Sequence, residues 1–337
     1  MRSLLAEGGE EPRLDAWLRW QSQLDEDERW PSRYVATLGD EVVATASWRH
    51  RTIRRGPLEE SIAELADVAI AARVDMPGLA DQLIEAGLLD AAASGIDVAV
   101  DWRENRHAMH RPRGWERVGE CYRYIRPARP SVALGGDIGT GLDHVVSNGL
   151  ECVDRLHRAL GAMCRTLDPR PIDVTSTAGI PASTMTTLYR ERLPEGLHVV
   201  RDEPFFERLA GDPRRTHRTY VAWRYGEPVL GVIISTQAHD TNTISYLADL
   251  LPRPNATDPG VLHTLLGIAL DEHADTSMIT GTATLLSHDR FGSHGFLSAK
   301  RWPLARVLPP RTVFVHAMGR QPNWSEPEWS LTDADFV

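Results

Sequence analysis

Residues 62–94, IAELADVAIAARVDMPGLADQLIEAGLLDAAAS, decide the fold. The apolar run IAELADVAI has the length of a strand. Pro77-Gly78 then opens a helix, because proline suits a first helical turn and glycine takes conformations closed to other residues. Leu79, Leu83, Ala86 and Leu89 recur at helical spacing, which gives the segment one apolar face. A second strand, IDVAVDW (96–102), follows.

The same order returns later in the chain. ISYLADLL (244–251) reads as a strand, Pro259-Gly260 opens a helix, and Val261, Leu265, Ile268 and Ala269 mark its apolar face. SMITGTATL (277–285) is the strand after it. Upstream, each copy begins with a hairpin. Tyr34-Val35-Ala36 turns at Gly39-Asp40-Glu41 and returns as VVATASW; Tyr220-Val221-Ala222 turns at Tyr225-Gly226-Glu227 and returns as VLGVIIS. Downstream, each copy reaches a glycine plus an aromatic, Gly114-Trp115 and Gly295-Phe296. Tyr34 and Tyr220 lie 186 positions apart, Gly78 and Gly260 lie 182 apart, and Gly114 and Gly295 lie 181 apart. Three ordered landmarks with so little drift indicate an internal duplication.

The Gly- and Pro-rich stretch 129–145 separates the copies. The expected organisation is a first domain over 1–128, a linker over 129–150, a second domain over 151–319 and an extended tail over 320–337. The chain is acidic, with a net charge of −10, so non-specific binding to a nucleic-acid backbone is not expected. Its 3 cysteines show no paired or ligand-like spacing, so neither a disulfide framework nor a metal site is expected. No signal peptide and no apolar stretch of about 18 residues is present, which points to a cytoplasmic protein with no membrane partner.

The repeated pattern resembles the GNAT superfamily of acyl-CoA N-acyltransferases over residues 15–127 and 170–318. The resemblance implies an α/β (α+β) fold of two tandem GNAT-like domains, each a mixed, mostly antiparallel sheet flanked by helices. In that family a strand splays from its neighbour to admit the pantetheine arm, and a Gln/Arg-x-x-Gly-x-Gly/Ala loop binds the CoA pyrophosphate with main-chain amides. A helix start with unpaired N–H groups favours an anion for general reasons. The cofactor implied is acetyl-CoA or another acyl-CoA. In the first copy its contacts fall on Val68, Ala69, Ile70, Arg73, Pro77, Gly78, Leu79, Ala80 and Asp81. Asp75 stands where the family has Gln or Arg, with Arg73 as a substitute from the side. In the second copy the corresponding residues are Leu250, Leu251, Gly260 and Val261, and Leu262 replaces the small residue.

The resemblance also places a general acid four residues before the glycine–aromatic pair. His110 holds that place in the first copy, with His107 as its competitor, and Phe291 holds it in the second. Glu64 and Asp67 are the candidate bases of the first copy. Strand alternation puts them on opposite faces unless a bulge intervenes. Tyr246 and Asp249 are their second-copy counterparts, and His288 and His294 lie in the last loop. The activity implied is acyl transfer to an amine of a small molecule, with a homodimer allowed for. Two other readings keep the fold. One is a Fem-like ligase taking its acyl group from aminoacyl-tRNA, with Arg49–Arg55 and Arg103–Arg113 as the basic groove. The other is a catalytically degenerate binding protein.

Overall fold

The computed structural model describes residues 33–102, 114–127, 172–194, 196–239, 242–252, 258–276, 278–283, 296–298, 310–319, 329–332 and 335. The chain divides into two compact units. The first comprises Met1–Glu120, Leu197–Val200 and Arg311–Glu328; the second comprises Cys121–Gly196, Arg201–Pro310 and Trp329–Val337. Neither unit is a contiguous half of the sequence.

The first unit contains β1 (Arg33–Leu38), β2 (Glu41–Arg55), β3 (Leu58–Ile70), helix α1 (Leu79–Ala93) and β4 (Val98–Asp101). Strand β5 (Trp115–Pro127) begins in this unit and crosses into the second at Cys121. In the second unit follow β6 (Asp173–Ala178) and α2 (Ala182–Glu191). The short β7 (His198–Val199) belongs to the first unit and pairs with β2 at Ile53 and Arg54. The second unit continues with α3 (Glu203–Ala210), β8 (Thr216–Arg224), β9 (Glu227–His239), β10 (Asn242–Leu251), α4 (Pro259–Glu272), β11 (Met278–Ala283) and β12 (Leu297–Ser298). The last strand, β13 (Arg311–Ala317), lies in the first unit, antiparallel to β4 from Phe314↔Asp101 to Ala317↔Val98. Conversely, residues 122–127 of β5 pair antiparallel with β11 in the second unit. Each unit therefore takes a strand from beyond the other copy of the repeat.

Both units share a plan that the pairing registers make explicit. Strands β1, β2 and β3 are antiparallel, and β4 runs parallel to β3. Strands β8, β9 and β10 repeat the meander, and β11 runs parallel to β10. One residue bulges from the second strand of each meander, Val43 or Val229, 186 positions apart. Another bulges from the third, Ala66 or Ala248, 182 positions apart. The hairpin from Ser47 to Asp67 spans 20 positions, whereas that from Ile233 to Asp249 spans 16. The shorter second hairpin accounts for the drift in repeat offset seen in the sequence.

A helix packs on one face of each meander. In the first unit Leu79, Leu83, Ile84 and Ala91 of α1 join Ala44, Ala46, Trp48, Ala63, Leu65 and Val68 in one core. In the second, Val261, Leu262, Leu265, Leu266 and Ala269 of α4 join Leu230, Val232, Ile234, Leu247 and Leu250. Each fully buried aliphatic side chain contributes roughly 1.5–3 kcal/mol. A side-chain tie recurs at the repeat offsets as well. Tyr34 donates to Asp90 at 2.7 Å, and Tyr220 donates to Glu272 at 3.0 Å. Burial, then the neighbouring carboxylate, raises the pKa of both phenols, so both hold their protons as donors.

The closest helix–sheet approach differs between units in a compensating way. A Cβ added to Gly87 would lie 2.0 Å from Trp48 Nε1, so only glycine leaves room for the indole. At the same repeat positions the second unit has Ala269 over Ile234. Alanine is ordinarily the better helix former by ~1 kcal/mol. Gly87→Ala is nevertheless expected to lower stability by about 1–3 kcal/mol through overpacking, as measured by denaturant unfolding. Trp48→Ile in the same chain, which imports the second unit's pair, is expected to recover most of that loss. Additive effects of the two changes would contradict the contact.

Candidate functional site

The third strand of each meander governs the site. Residues Ala63, Leu65 and Val68 of β3 all face the α1 core, a spacing of two and then three. The inserted Ala66 causes the irregular step. It also brings Glu64 and Asp67 onto one face, the face away from α1, which resolves the conflict that simple alternation predicts. The parallel ladder to β4 is recorded at Ala63↔Ala99 and Glu64↔Val100 and ends there, just before the bulge. In the second unit the ladder ends at Leu247↔Gly281, one residue before the bulge rather than two. Among the described residues neither pair is laddered beyond these points, the level called the fork below.

The two acids of β3 differ in role. Glu64 is buried, and both its oxygens are engaged. Arg51 Nε donates to one at 2.7 Å, and Trp102 Nε1 donates to the other at 3.1 Å. The triad ties β2, β3 and the residue after β4 together below the fork. A carboxylate held on both oxygens fixes the strands that carry its partners. Asp67 is half-buried, sits opposite Ser47, and has no side-chain hydrogen bond or ion pair among the described residues. Sequence alone did not separate these two acids.

Above the fork, Val68 packs into the core, Ala69 is half-buried, and Ile70 is 40% exposed. The loop from Ala72 to Gly78 is largely exposed. Arg73 pairs with Glu41 rather than standing alone for a ligand. Gly78 is the N-cap of α1 at φ 83, and no side chain caps the helix there. Pro77 precedes it, Leu79 turns into the core, Ala80 is half-buried, and Asp81 supplies an acid in the first turn. Asp81 and Asp75 oppose an anion, so a phosphate here would rely on main-chain amides.

The second unit closes the same positions with its own side chains. Asp258 caps α4, its Oδ1 accepting from Gly260 N at 2.9 Å, and Arg224 lies against its other oxygen at 3.4 Å. Val261, Leu250 and Leu251 are buried core residues, as Val68 and Leu79 are in the first unit. Asp249 occupies the repeat position of Asp67, yet it is fully buried and paired with Arg201 at 2.5 Å. Tyr246 is half-buried, with the Arg215 guanidinium carbon 4.7 Å from its ring centre. His110, His107, His288, His294 and the stretch 103–113 lie outside the described residues. Of the other basic stretch, Arg51 is buried against Glu64 and Arg54 pairs with Glu59 at 3.3 Å.

Among the buried groups that escaped the sequence reading, Arg201 and His217 stand out. Arg201 lies outside the repeated elements. The Nδ1 of His217 lies 2.8 Å from Ser235 Oγ, and burial lowers its pKa to about 4, with Asp212 opposing and Arg215 adding to the shift. Among the described residues no cluster of three or more His, Cys, Asp or Glu could hold a metal ion. No described helix is long and apolar enough to cross a membrane.

Comparison with known proteins gives the fold. No family model matches the chain, and no curated protein does. Solved structures match. A GCN5-related N-acetyltransferase from Anabaena variabilis superposes with TM-score 0.54 at 12% identity, over 86% of this chain and 63% of that one. Another from Kribbella flavida gives 0.53 at 15% identity, over 90% and 63%. A conserved protein of unknown function from Enterococcus faecalis gives 0.55 at 10% identity, over 92% and 71%. This chain thus spans less than two thirds of the length of the first two. The fold is α/β and is that of the GCN5-related N-acetyltransferases.

His217 makes a testable contribution to acid stability. Its folded pKa lies below its unfolded value near ~6.5, so the unfolded state binds the extra proton between those values. The stabilisation is present above pH ~6.5 and is lost as pH falls toward 4. His217→Gln is expected to flatten the fall of the melting temperature across that window. An unchanged acid limb in the variant would count against the buried neutral imidazole.

Proposed function

We propose that the first unit is an acyl-CoA-dependent N-acyltransferase site acting on an amine of a small molecule, and that the second unit serves as its scaffold. One observation carries this reading. The two units put an aspartate at the same place, immediately after the bulge at the fork. The second unit consumes its own, Asp249, in a buried ion pair, whereas Asp67 is left half-exposed. The helix starts agree: α1 has no side-chain cap, while α4 is capped by Asp258.

The fork and helix start fit an acyl-CoA. The recorded β3–β4 ladder stops at Glu64, and the unpaired edge of β3 beyond it is where an extended pantetheine would lie. Exposed Ile70 and Met76 line its approach with apolar surface. Leu79 N already donates to Met76 O at 3.2 Å, so a pyrophosphate would meet the remaining main-chain N–H groups and the positive end of α1. In the transfer the amine nitrogen forms a bond to the thioester carbonyl carbon, and the carbon–sulfur bond breaks. Asp67 would hold the incoming ammonium and take up its proton, directly or through one water. Glu64, locked by Arg51 and Trp102, would keep β3 in register rather than move a proton. His110 is proposed to return a proton to the departing thiolate. Positioning of the two reactants supplies much of the rate in such a scheme.

Calorimetric titration of acetyl-CoA tests the donor site. The native chain is expected to bind and Gly78→Glu to lose at least tenfold in affinity, because the new side chain adds a charge at the helix start and strains a positive φ. Equal affinity in both would remove the assignment. Asp67→Asn is expected to reduce kcat/KM for amine acylation by about 10²–10⁴-fold while the acetyl-CoA Kd stays unchanged. Undiminished turnover in that variant would clear Asp67 of the role.

A further inference from the structure

We infer that Ser47 is the second contact of the acceptor amine, and that with Asp67 it forms a subsite for an ammonium group carrying at least two N–H bonds. The inference deepens the function proposed for the first unit and rests on it. Its ground is a cross-strand pair. Ser47 of β2 stands directly opposite Asp67 of β3, and theirs is the first pair past the Ala66 bulge. Ala44, Ala46 and Trp48 of β2 turn into the α1 core, so Ser47 faces the other way, as Asp67 does. Directly opposed residues of antiparallel strands hold their Cβ atoms about 4.5–5.5 Å apart. Both side chains can therefore meet one atom placed between them.

The chain leaves both groups open. Ser47 and Asp67 are half-buried, and neither side chain has a hydrogen bond or ion pair among the described residues. The second unit shows the same place sealed. There Asp249 stands one step from the bulge opposite Ile233, and both are 0% exposed. Asp249 is held by Arg201, and Ile233 offers no polar atom. Two residues before Ile233, on the same face, Gly231 lies under α2. A Cβ at Gly231 would stand 2.7 Å from Met185 Sδ and 2.8 Å from Leu188 Cδ1. The hydroxyl thus accompanies the open aspartate, and the apolar residue accompanies the sealed one.

The pair suits an amine that must be both deprotonated and aimed. A carboxylate attracts the ammonium and takes one of its protons, directly or through one water. A hydroxyl oxygen accepts a hydrogen bond from a second N–H. That second contact limits rotation of the amine about its carbon–nitrogen bond and so directs the freed lone pair. The nitrogen then bonds to the thioester carbonyl carbon, the carbon–sulfur bond breaks, and the thiolate departs while the proton stays with Asp67. Primary and secondary amines meet both contacts. A tertiary ammonium has one N–H and meets only one.

Carbon-13 NMR of the aspartate carboxyls in the full chain tests the subsite, with the Asp67 signal assigned by its loss in Asp67→Asn. Propylammonium chloride is the probe, and it is expected to shift that signal saturably in the native protein. Ser47→Ala is expected to weaken its binding about tenfold, as loss of one hydrogen bond to a charged group does, and trimethylammonium is expected to bind the native chain about tenfold less well than propylammonium. Ser47→Thr keeps the hydroxyl and is expected to bind like the native chain. Ser47→Ile, which imports the second unit's residue, is expected to abolish the shift. No saturable shift in the native protein would overturn the inference, and so would equal affinity in Ser47→Ala. Acetyl transfer from acetyl-CoA to propylamine is followed alongside. There Ser47→Ala is expected to raise the amine KM about tenfold with kcat and acetyl-CoA Kd unchanged, the pattern of a contact made in ground and transition states alike. A loss of acetyl-CoA affinity by the same factor would make Ser47 a structural residue instead. Ammonium binding without any transfer would strike the proposed function and leave the subsite standing.

Discussion

One extra residue in the third strand of each meander organises both units. Ala66 and Ala248 interrupt a period of two, and the consequences are geometric. Core residues before and after the bulge stay on the helix-covered face. The acid just past it moves to the other face. The parallel ladder to the following strand ends at the same level. An unbroken strand would turn either the acid or the next valine or leucine toward the wrong side. The bulge therefore couples core packing to the end of the parallel ladder.

Around that shared frame the two copies have diverged by exchange of volume and charge. Where the first unit sets Gly87 against Trp48, the second has Ala269 and Ile234 at the same repeat positions, both within its core. The tyrosine–carboxylate tie between first strand and helix is kept in both, with Asp in one and Glu in the other. Where the units differ most is at the fork. The first has an uncapped helix and an acid with no described partner; the second has an Asp258 cap and a buried Arg201–Asp249 pair. A charge that a ligand could meet in one unit is met by the chain itself in the other.

The strand exchange binds these differences into one molecule. β13 completes the sheet of the first unit although it is encoded after the second meander, and the end of β5 joins the second unit although it is encoded after the first. Cutting the chain near its Gly-rich stretch would remove a ladder partner from each sheet, leaving main-chain donors and acceptors unmet.

Local periodicity was enough to reveal the hairpins, the two amphipathic helices and the repeated order of elements, because strand and helix periods and Pro-Gly punctuation are properties of neighbouring residues. It also brought Glu64, Asp67, Gly78 and Asp249 forward as candidates. It could not say that Glu64 is held by Arg51 and Trp102, that Arg201 is shared by Asp249 and Asp335, or that β13 pairs in the first unit and the end of β5 in the second. Those facts depend on which distant segments meet. A carboxylate's role follows from the donors around it, and donors 13, 38, 48 or 134 positions away are brought together only by the folded chain.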